Sequence, residues 1–200
     1  MTVAVTNEFV ASVFTADAQT DPVIAGLAGG GFVAIWESED QNGSSTGLTG
    51  QIYSAFGGRV GGEFFVESAT FGAQTEPHVT GLPGGGFAVV WQGPGDDALI
   101  GRSFDAEGAP VSGEFAVNTE TPGDQVEPTL VTRPGGGFFA LWTSETDETG
   151  TADIRAQRFD DAGAPVGAEF DVAATTAMAQ SQPAAAEVAG GFVAVWTSTA

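Results

Sequence analysis

The sequence predicts an all-β protein made of repeated four-stranded antiparallel sheets. A glycine-rich turn followed by an apolar stretch ending in tryptophan occurs four times in the 200 residues, first as GGGFVAIW at 29–36. Thirty glycines, about twice the usual share, indicate many turns. No segment shows a convincing helical period of apolar residues, so sheet structure is expected throughout the chain.

Four residue types recur at nearly constant spacing, which indicates one structural unit repeated along the chain. Successive copies are about 50 to 55 residues apart, and almost all variation in length falls just after the tryptophan. Each unit is therefore predicted to be rigid, with one adjustable loop. The repeated positions are Glu8, Glu63, Glu114 and Glu169; Gln19, Gln74, Gln125 and Gln180; Pro22, Pro77, Pro128 and Pro183; and Trp36, Trp91, Trp142 and Trp196.

Four short strands are predicted within each unit. The first follows the proline, as in PVIAGL, and the second is the apolar stretch that ends in tryptophan. The third, LTGQIY in the first unit, is joined by a glycine turn to a fourth strand, EFFVES. Gly57, Gly108 and Gly163 align in that turn, which predicts a backbone with positive φ. The repeated Gln and Pro are expected in the loop that leads from one unit into the next.

Four antiparallel strands in about 50 residues match one blade of a β-propeller. The chain is predicted to open with a fourth strand near residues 8–11 and to stop after a second strand at Trp196. An incomplete ring, cut from a longer polypeptide, is therefore expected. A linear array of β-sandwich modules is the alternative, although it would suit about 100 residues per unit. The predicted units are 1–21, the end of a preceding blade with its connecting loop; 22–76, 77–127 and 128–182, three whole blades; and 183–200, the first half of a fourth.

The repeated tryptophan has two interpretations. Packing between neighbouring blades is favoured by the apolar neighbours Phe32 and Ala34, because large apolar side chains in strands are usually buried. Alternatively, one indole ring per blade stacks on sugar rings, which would make the protein a multivalent carbohydrate-binding propeller.

Charge excludes several classes of partner. The chain has 26 Asp and Glu residues against five Arg and no Lys, with a formal net charge of −21. Such a surface repels phosphate backbones and anionic lipid surfaces, so binding of nucleic acid is not expected. The sequence has no run of 18 apolar residues, so membrane insertion is not expected either. The absence of cysteine excludes disulfides and thiol chemistry.

The loop after each tryptophan is the most acidic part of the repeat and provides the candidates for a metal site. Calcium takes six to eight oxygen ligands, which closely spaced carboxylates and amides can supply. The spacing of these groups is not kept from one copy to the next, so a solvated acidic loop without metal is the alternative. The candidate calcium ligands are Asp40, Asn42, Asp147 and Asp153.

The stretch FDAEGAPVSGEFAVNTETPGDQVEPTLVTRPGGGFFALW, residues 104–142, resembles the propeller-like repeats of large secreted bacterial proteins of the RTX, haemolysin-type calcium-binding kind. The resemblance extends from Glu8 to Trp196. It implies an extracellular or cell-surface bacterial location, export by a type I system, and a modular, non-catalytic role. Calcium sites of that family lie in glycine-rich nonapeptides containing Asp, and none occurs here, so the resemblance implies no metal ligand in this chain.

No residue pattern predicts catalysis. His78 is the only histidine, and it occupies a strand position that holds Val23, Thr129 or Ala184 in the other units. A single histidine cannot form a metal cluster, and no nucleophile elbow accompanies it. A structural role is therefore expected for His78.

The sequence favours a non-catalytic structural or adhesive repeat module of a larger secreted bacterial protein. The expected partners are glycans or a cell-surface protein, together with further blades of the same polypeptide. Two alternatives remain: a lectin-like propeller that binds carbohydrate, and an accessory domain of an extracellular hydrolase.

Overall fold

A computed structural model of the protein describes residues 8–43, 45–68, 72–95, 98–119, 123–145, 151–174 and 178–199. These residues form three four-stranded antiparallel sheets and one two-stranded sheet. Blade 1 consists of β1 (Gln19–Gly26), β2 (Phe32–Ser38), β3 (Gly47–Tyr53) and β4 (Arg59–Phe65); blade 2 of β5 (Thr75–Gly81), β6 (Phe87–Gln92), β7 (Leu99–Phe104) and β8 (Phe115–Ala116); blade 3 of β9 (Gln125–Thr132), β10 (Phe138–Glu145), β11 (Ala152–Phe159) and β12 (Phe170–Asp171); and blade 4 of β13 (Ala179–Val188) and β14 (Gly191–Thr199).

The sheets stand side by side as the blades of an incomplete propeller. Within each complete blade the strand order follows the chain, and the first strands of successive blades contact one another, β1 with β5, β5 with β9, and β9 with β13. These first strands therefore line a common axis. Strands β1 and β13 show no comparable packing, so the ring is open between them. The predicted fold class is confirmed. No helix in the described ranges has the length and apolar character needed to cross a membrane.

Glycine turns connect the strands as the sequence indicates. The first and second strands of each complete blade are joined by hairpins such as the one in blade 2, where the backbone N–H of Leu82 donates to the carbonyl oxygen of Gly86 at 2.8 Å. In the turn before the fourth strand, Gly57, Gly108 and Gly163 have φ values of 78°, 85° and 81°. The predicted positive φ at these three positions is confirmed.

The expected loop position is wrong for the repeated Pro and for three of the four repeated Gln; Gln74 does lie in the connection before β5. Gln19 and Pro22 lie inside β1 rather than in an inter-blade loop, and Pro77, Pro128 and Pro183 are likewise within first strands. The residue before each proline has a positive φ, and the register of each first strand shifts at that point. The missing N–H of proline therefore coincides with a β-bulge, where the ladder is already interrupted. The four residues are Asp21 (φ 46°), Glu76 (51°), Glu127 (54°) and Gln182 (57°).

The predicted opening strand at residues 8–11 is also wrong, because this segment has no strand pairing. It nevertheless packs on blade 1, where the Tyr53 hydroxyl donates to the Ala11 carbonyl at 2.7 Å and the Arg59 guanidinium donates to the Val10 carbonyl at 2.8 Å. A fourth strand pairs with the third strand of its own blade, and no third strand of a preceding blade lies in the described part of the chain. Residues 8–11 thus occupy the place of a fourth strand without its hydrogen bonds.

The second strands β6 and β10 are buried on both faces because each lies between two neighbouring blades. Val33 and Ile35 of blade 1 share a core with Val89 and Trp91 of blade 2. The next seam repeats this arrangement, with Ala88, Val90, Ala140 and Trp142 in one cluster, and the seam after it joins Leu141 and Ala156 to Phe192 and Ala194. The apolar character of both strand faces therefore reflects blade-to-blade packing.

A group of three aromatic rings also recurs at the seams. In blade 2, Phe87 and Phe104 stack with ring centroids 5.0 Å apart, and Phe64 of blade 1 lies against them. Phe138 and Phe159 of blade 3 stack at 5.1 Å and receive Phe115 of blade 2 in the same way. Phe64 and Phe115, which belong to two of the repeated Glu-Phe pairs, therefore anchor their blades to the next one. Phe170 of the last pair contacts Phe139 of its own blade. Phe9 takes this position on the stacked pair Phe32 and Tyr53.

Substituting Gly163 with Ala should destabilise the protein more than the same change at Gly57. Both glycines have positive φ, so each variant carries a backbone penalty of about 1–2 kcal/mol. A methyl group at Gly163 would overlap the Phe115 ring, adding about 1–3 kcal/mol, whereas at Gly57 the nearest atom, on Phe9, is 3.7 Å away. Urea unfolding measures both losses. Equal losses of unfolding free energy in the two variants would show that the Phe115 ring does not limit how closely the turn containing Gly163 can pack.

Candidate functional site

The repeated tryptophan and glutamine form one hydrogen bond in each complete blade. Donation from indole Nε1 to the glutamine Oε1 spans 2.8 Å for Trp36–Gln19, 2.7 Å for Trp91–Gln74 and 2.8 Å for Trp142–Gln125. These indoles are 4%, 0% and 0% exposed. The bond supplies an acceptor for a buried N–H that would otherwise lose its hydration. Trp196 in blade 4 is half-buried, and Gln180 is buried.

The repeated glutamate joins blades 2 and 3 to the blade before them, and blade 1 to the segment that precedes it. Glu169 accepts hydrogen bonds from the backbone N–H and the hydroxyl of Thr119, both at 2.8 Å. Glu114 accepts from the Ser68 hydroxyl at 2.7 Å, and Glu63 accepts from the backbone N–H of Val13. The three acceptor–donor pairs are therefore related by the repeat. The sequence showed the spacing of these glutamates, but their partners lie about 50 residues away and only the structure reveals them.

An acidic cleft of about 570 Å³ lies at the axis between the first strands. Its carboxylates come from Asp21, Glu37, Glu76 and Glu127, and Pro22, Pro77 and Pro128 line it as well. Three of these four acidic residues precede the repeated prolines. The cleft therefore arises because the β-bulge of each blade points to the same axis.

Carboxylates of this axial cleft bind backbone groups of the following blade. The Glu76 N–H donates to Glu37 Oε1 at 2.9 Å, and the Glu127 N–H donates to Glu76 Oε2 at 3.0 Å. The Gln182 N–H donates to Glu127 Oε2 at 2.7 Å. Burial raises the pKa of Glu37, and the charges of Asp21 and Glu76 raise it further, although the Glu76 N–H opposes the shift. The carboxylates of the axial cleft thus connect each blade to the next one.

The predicted calcium ligands are separated in the structure. Asp40 is exposed in the loop after β2, the nearby Asn42 side chain donates to Glu67, and Asp153 lies on β11 two blades away. Asp147 lies outside the described residues. Among the residues that the structure describes, no group of three or more His, Cys, Asp or Glu side chains could hold a metal ion. Calcium binding stays a prediction.

Glu67 is a buried carboxylate that the sequence did not single out. Its Oε2 accepts the Leu48 N–H at 2.9 Å, and the Asn42 amide donates to its other oxygen. Burial raises the pKa of Glu67, although its hydrogen bonds oppose the shift. In blade 2 the same position holds Asn118, whose Oδ1 accepts the Leu99 N–H at 2.8 Å. A neutral amide can therefore fulfil the same role.

His78 lies at the seam between blades 2 and 3. Its Nδ1 accepts the Leu130 N–H at 3.2 Å, and its Nε2 is 3.4 Å from the Thr129 hydroxyl. Burial lowers the pKa of His78. Both contacts join the neutral imidazole ring to the edge of β9 that has no strand partner. His78 therefore has a structural role.

Comparison with solved structures supports the propeller architecture. A subtype N11 neuraminidase-like protein of A/flat-faced bat/Peru/033/2010 (H18N11) matches with a TM-score of 0.55 and 11% identity, covering 90% of this chain and 51% of that one. The chain thus spans about half of that protein's length. An endo-arabinase from Bacteroides thetaiotaomicron VPI-5482 gives a TM-score of 0.44 and 10% identity, covering 84% of this chain and 66% of that one. No family model and no curated protein matches the sequence. The fold is that of a β-propeller segment.

Replacing Gln125 with Met should cost about 1–3 kcal/mol of unfolding free energy, because the buried Trp142 N–H loses its acceptor. The same change at Gln19 should cost less, since that hydrogen bond is only partly buried and water can replace the glutamine. Adding Trp142→Phe to Gln125→Met should cost less than the two single losses added together, because no polar group is then left unpaired. Additive losses in urea unfolding would contradict a coupled pair.

Replacing Glu67 with Gln should raise stability at neutral pH, with the gain vanishing in acid. The raised pKa means that the folded state holds a proton which the unfolded chain has already released, so this group's contribution to stability falls as pH rises through the raised pKa. The amide carries no charge and lacks this loss. Thermal unfolding across the acidic range measures the difference.

The control for this prediction is Glu107→Gln, which removes the same charge from an exposed turn. It separates relief of the burial penalty at Glu67 from a general reduction of the net charge. An equal gain from both variants would contradict the prediction.

Proposed function

We propose that this chain is a non-catalytic structural repeat module of a larger secreted bacterial protein, in which acidic rim loops serve adhesion. One observation carries the proposal: the repeated tryptophan, glutamine and glutamate, and the phenylalanine beside the glutamate, hold strands or blades together. Tryptophan and glutamine fasten the first strand to the second, the glutamate fastens a blade to its predecessor, and the phenylalanine beside it fastens the blade to its successor. Repetition of this kind is what a scaffold requires.

The polar groups that could otherwise suggest catalysis support the same proposal. Glu37, Glu76 and Glu127 in the axial cleft accept backbone hydrogen bonds from the next blade. His78 bonds the edge of β9 instead of a nucleophile. These carboxylates and His78 therefore have structural partners. A structural role fits them better than a role in catalysis.

Carbohydrate binding is a second candidate, and the axial cleft is the observation that favours it. Carboxylates accept hydrogen bonds from sugar hydroxyls, and four of them surround one open space with three proline rings. The indoles of blades 1 to 3 are buried, so stacking on Trp36, Trp91 or Trp142 is not the means of binding. A sugar would have to enter along the axis.

Incubation with neuraminic-acid glycosides tests the proposal, because a neuraminidase-like protein shares the propeller fold. We expect no release of sugar and no saturable signal on a glycan array. Hydrolysis that disappears in Glu37→Gln would overturn the non-catalytic assignment. Saturable glycan binding that Asp21→Asn weakens, while an exposed-turn control, Glu107→Gln, retains it, would favour the carbohydrate-binding candidate.

A further inference from the structure

Strand β14 has an open edge where every other second strand of the propeller is paired. Strand β2 lies between β1 and β3, β6 between β5 and β7, and β10 between β9 and β11. In the described part of the chain, β14 pairs with β13 alone. Its other edge presents backbone N–H and C=O groups in the position where a third strand binds in blades 1 to 3.

One face of β14 is open as well. Val193 and Val195 are 51% and 64% exposed, yet they occupy repeat positions that are buried in the earlier blades. The equivalent residues are Val33 and Ile35 in blade 1, Ala88 and Val90 in blade 2, and Phe139 and Leu141 in blade 3, and all but Phe139 are 0% exposed. The exposed valines thus belong to a face that packs against a following blade wherever one is present.

The aromatic arrangement of the seam is incomplete in the same place. Phe192 aligns with Phe32, Phe87 and Phe138, each of which stacks on an aromatic residue of its third strand at 4.8 to 5.1 Å. Phe192 contacts Phe139 of blade 3 at 4.9 Å, but no third-strand ring lies beside it among the described residues. The pattern therefore specifies an aromatic side chain at one position of the missing strand.

We propose that the free edge of β14 is a strand-accepting site for a β-hairpin of the third-and-fourth-strand type, carried by a further repeat of this kind. The proposal rests on the structural role proposed above and names its partner. The edge supplies main-chain hydrogen bonds, and the side chains determine register, as in other cases of strand addition. This hairpin would complete blade 4.

The pairing of β10 with β11 gives the register expected at the site. Phe138 lies opposite Phe159, Ala140 opposite Gln157, and Leu141 opposite Ala156. In blade 4, these positions place an aromatic residue opposite Phe192, a polar residue opposite Ala194 and a small apolar residue opposite Val195. A second copy of the chain does not fit this description, because its described third strands are already paired within their own blades.

A synthetic peptide of residues 152–174, which contains β11, its turn and β12, tests the proposal on the full chain. We expect saturable binding by fluorescence anisotropy, slowed amide exchange in β14 and a higher melting temperature. A matched peptide with Phe159→Asp should bind at least about tenfold more weakly, because it places a charge against Phe192. Equal binding of the two peptides would overturn the register.

Val195→Asp in the full chain is the second control. Val195 is exposed on the face that a following blade would cover and not at the edge, so this variant should fold with an unchanged melting temperature. It should weaken peptide binding by no more than about fivefold, the range of strand propensity. Three results would overturn the proposal: no saturable binding, amide protection on β10 instead of β14, or a dimer of the unmixed chain that Val195→Asp dissociates. The last result would assign the surface to a second copy.

The outcome is independent of the enzymatic and glycan assays above. If the peptide does not bind and no sugar is hydrolysed, only the proposed strand-accepting site is contradicted. Hydrolysis together with peptide binding would remove only the non-catalytic assignment.

Discussion

Burial of the inner second strands, β6 and β10, between two neighbouring blades is the constraint on which the rest of the structure depends. A four-stranded sheet with two apolar faces cannot bury both by itself, so each blade requires a neighbour on either side. The clusters around Trp91 and Trp142 show this directly, because each combines residues of two consecutive blades. As in other repeat proteins, the free energy of unfolding is approximately the sum of the intrinsic stability of each blade and the contributions of the interfaces between neighbouring blades.

Polar residues of the repeat follow from that burial. An indole that fills a seam brings its N–H out of water, and the glutamine 17 residues earlier provides the acceptor. Blade-to-blade contact also leaves backbone N–H groups without ladder partners, and the repeated glutamates and the carboxylates of the axial cleft accept them. Much of the acidity at the seams and the axis therefore has a specific structural use, which net charge alone does not reveal.

The two ends of the incomplete propeller differ in how far they bury the apolar faces of their second strands. At one end, residues 8–18 lie over blade 1, and Phe9 takes the place that Phe64 and Phe115 take at the inner seams. At the other end, Val193 and Val195 are exposed, and β14 pairs with β13 alone among the residues that the structure describes. At β14, apolar side chains and backbone N–H and C=O groups both contact solvent. Burial of apolar strand faces and pairing of strand edges are therefore less complete there than in the other blades.

The sequence by itself determined the four-stranded repeat, the incomplete ring and the glycine turns with positive φ, because strand periodicity and turn chemistry are local properties. It also identified Trp142 and Gln125 as fixed positions, but their hydrogen bond depends on two strands meeting. Only the tertiary structure placed Pro22 at a β-bulge within β1, since the register shift arises from pairing with β2. The tertiary structure alone likewise brought Glu37, Glu76 and Glu127 together around an axis, because residues about 40 to 50 positions apart in sequence meet only when successive blades pack.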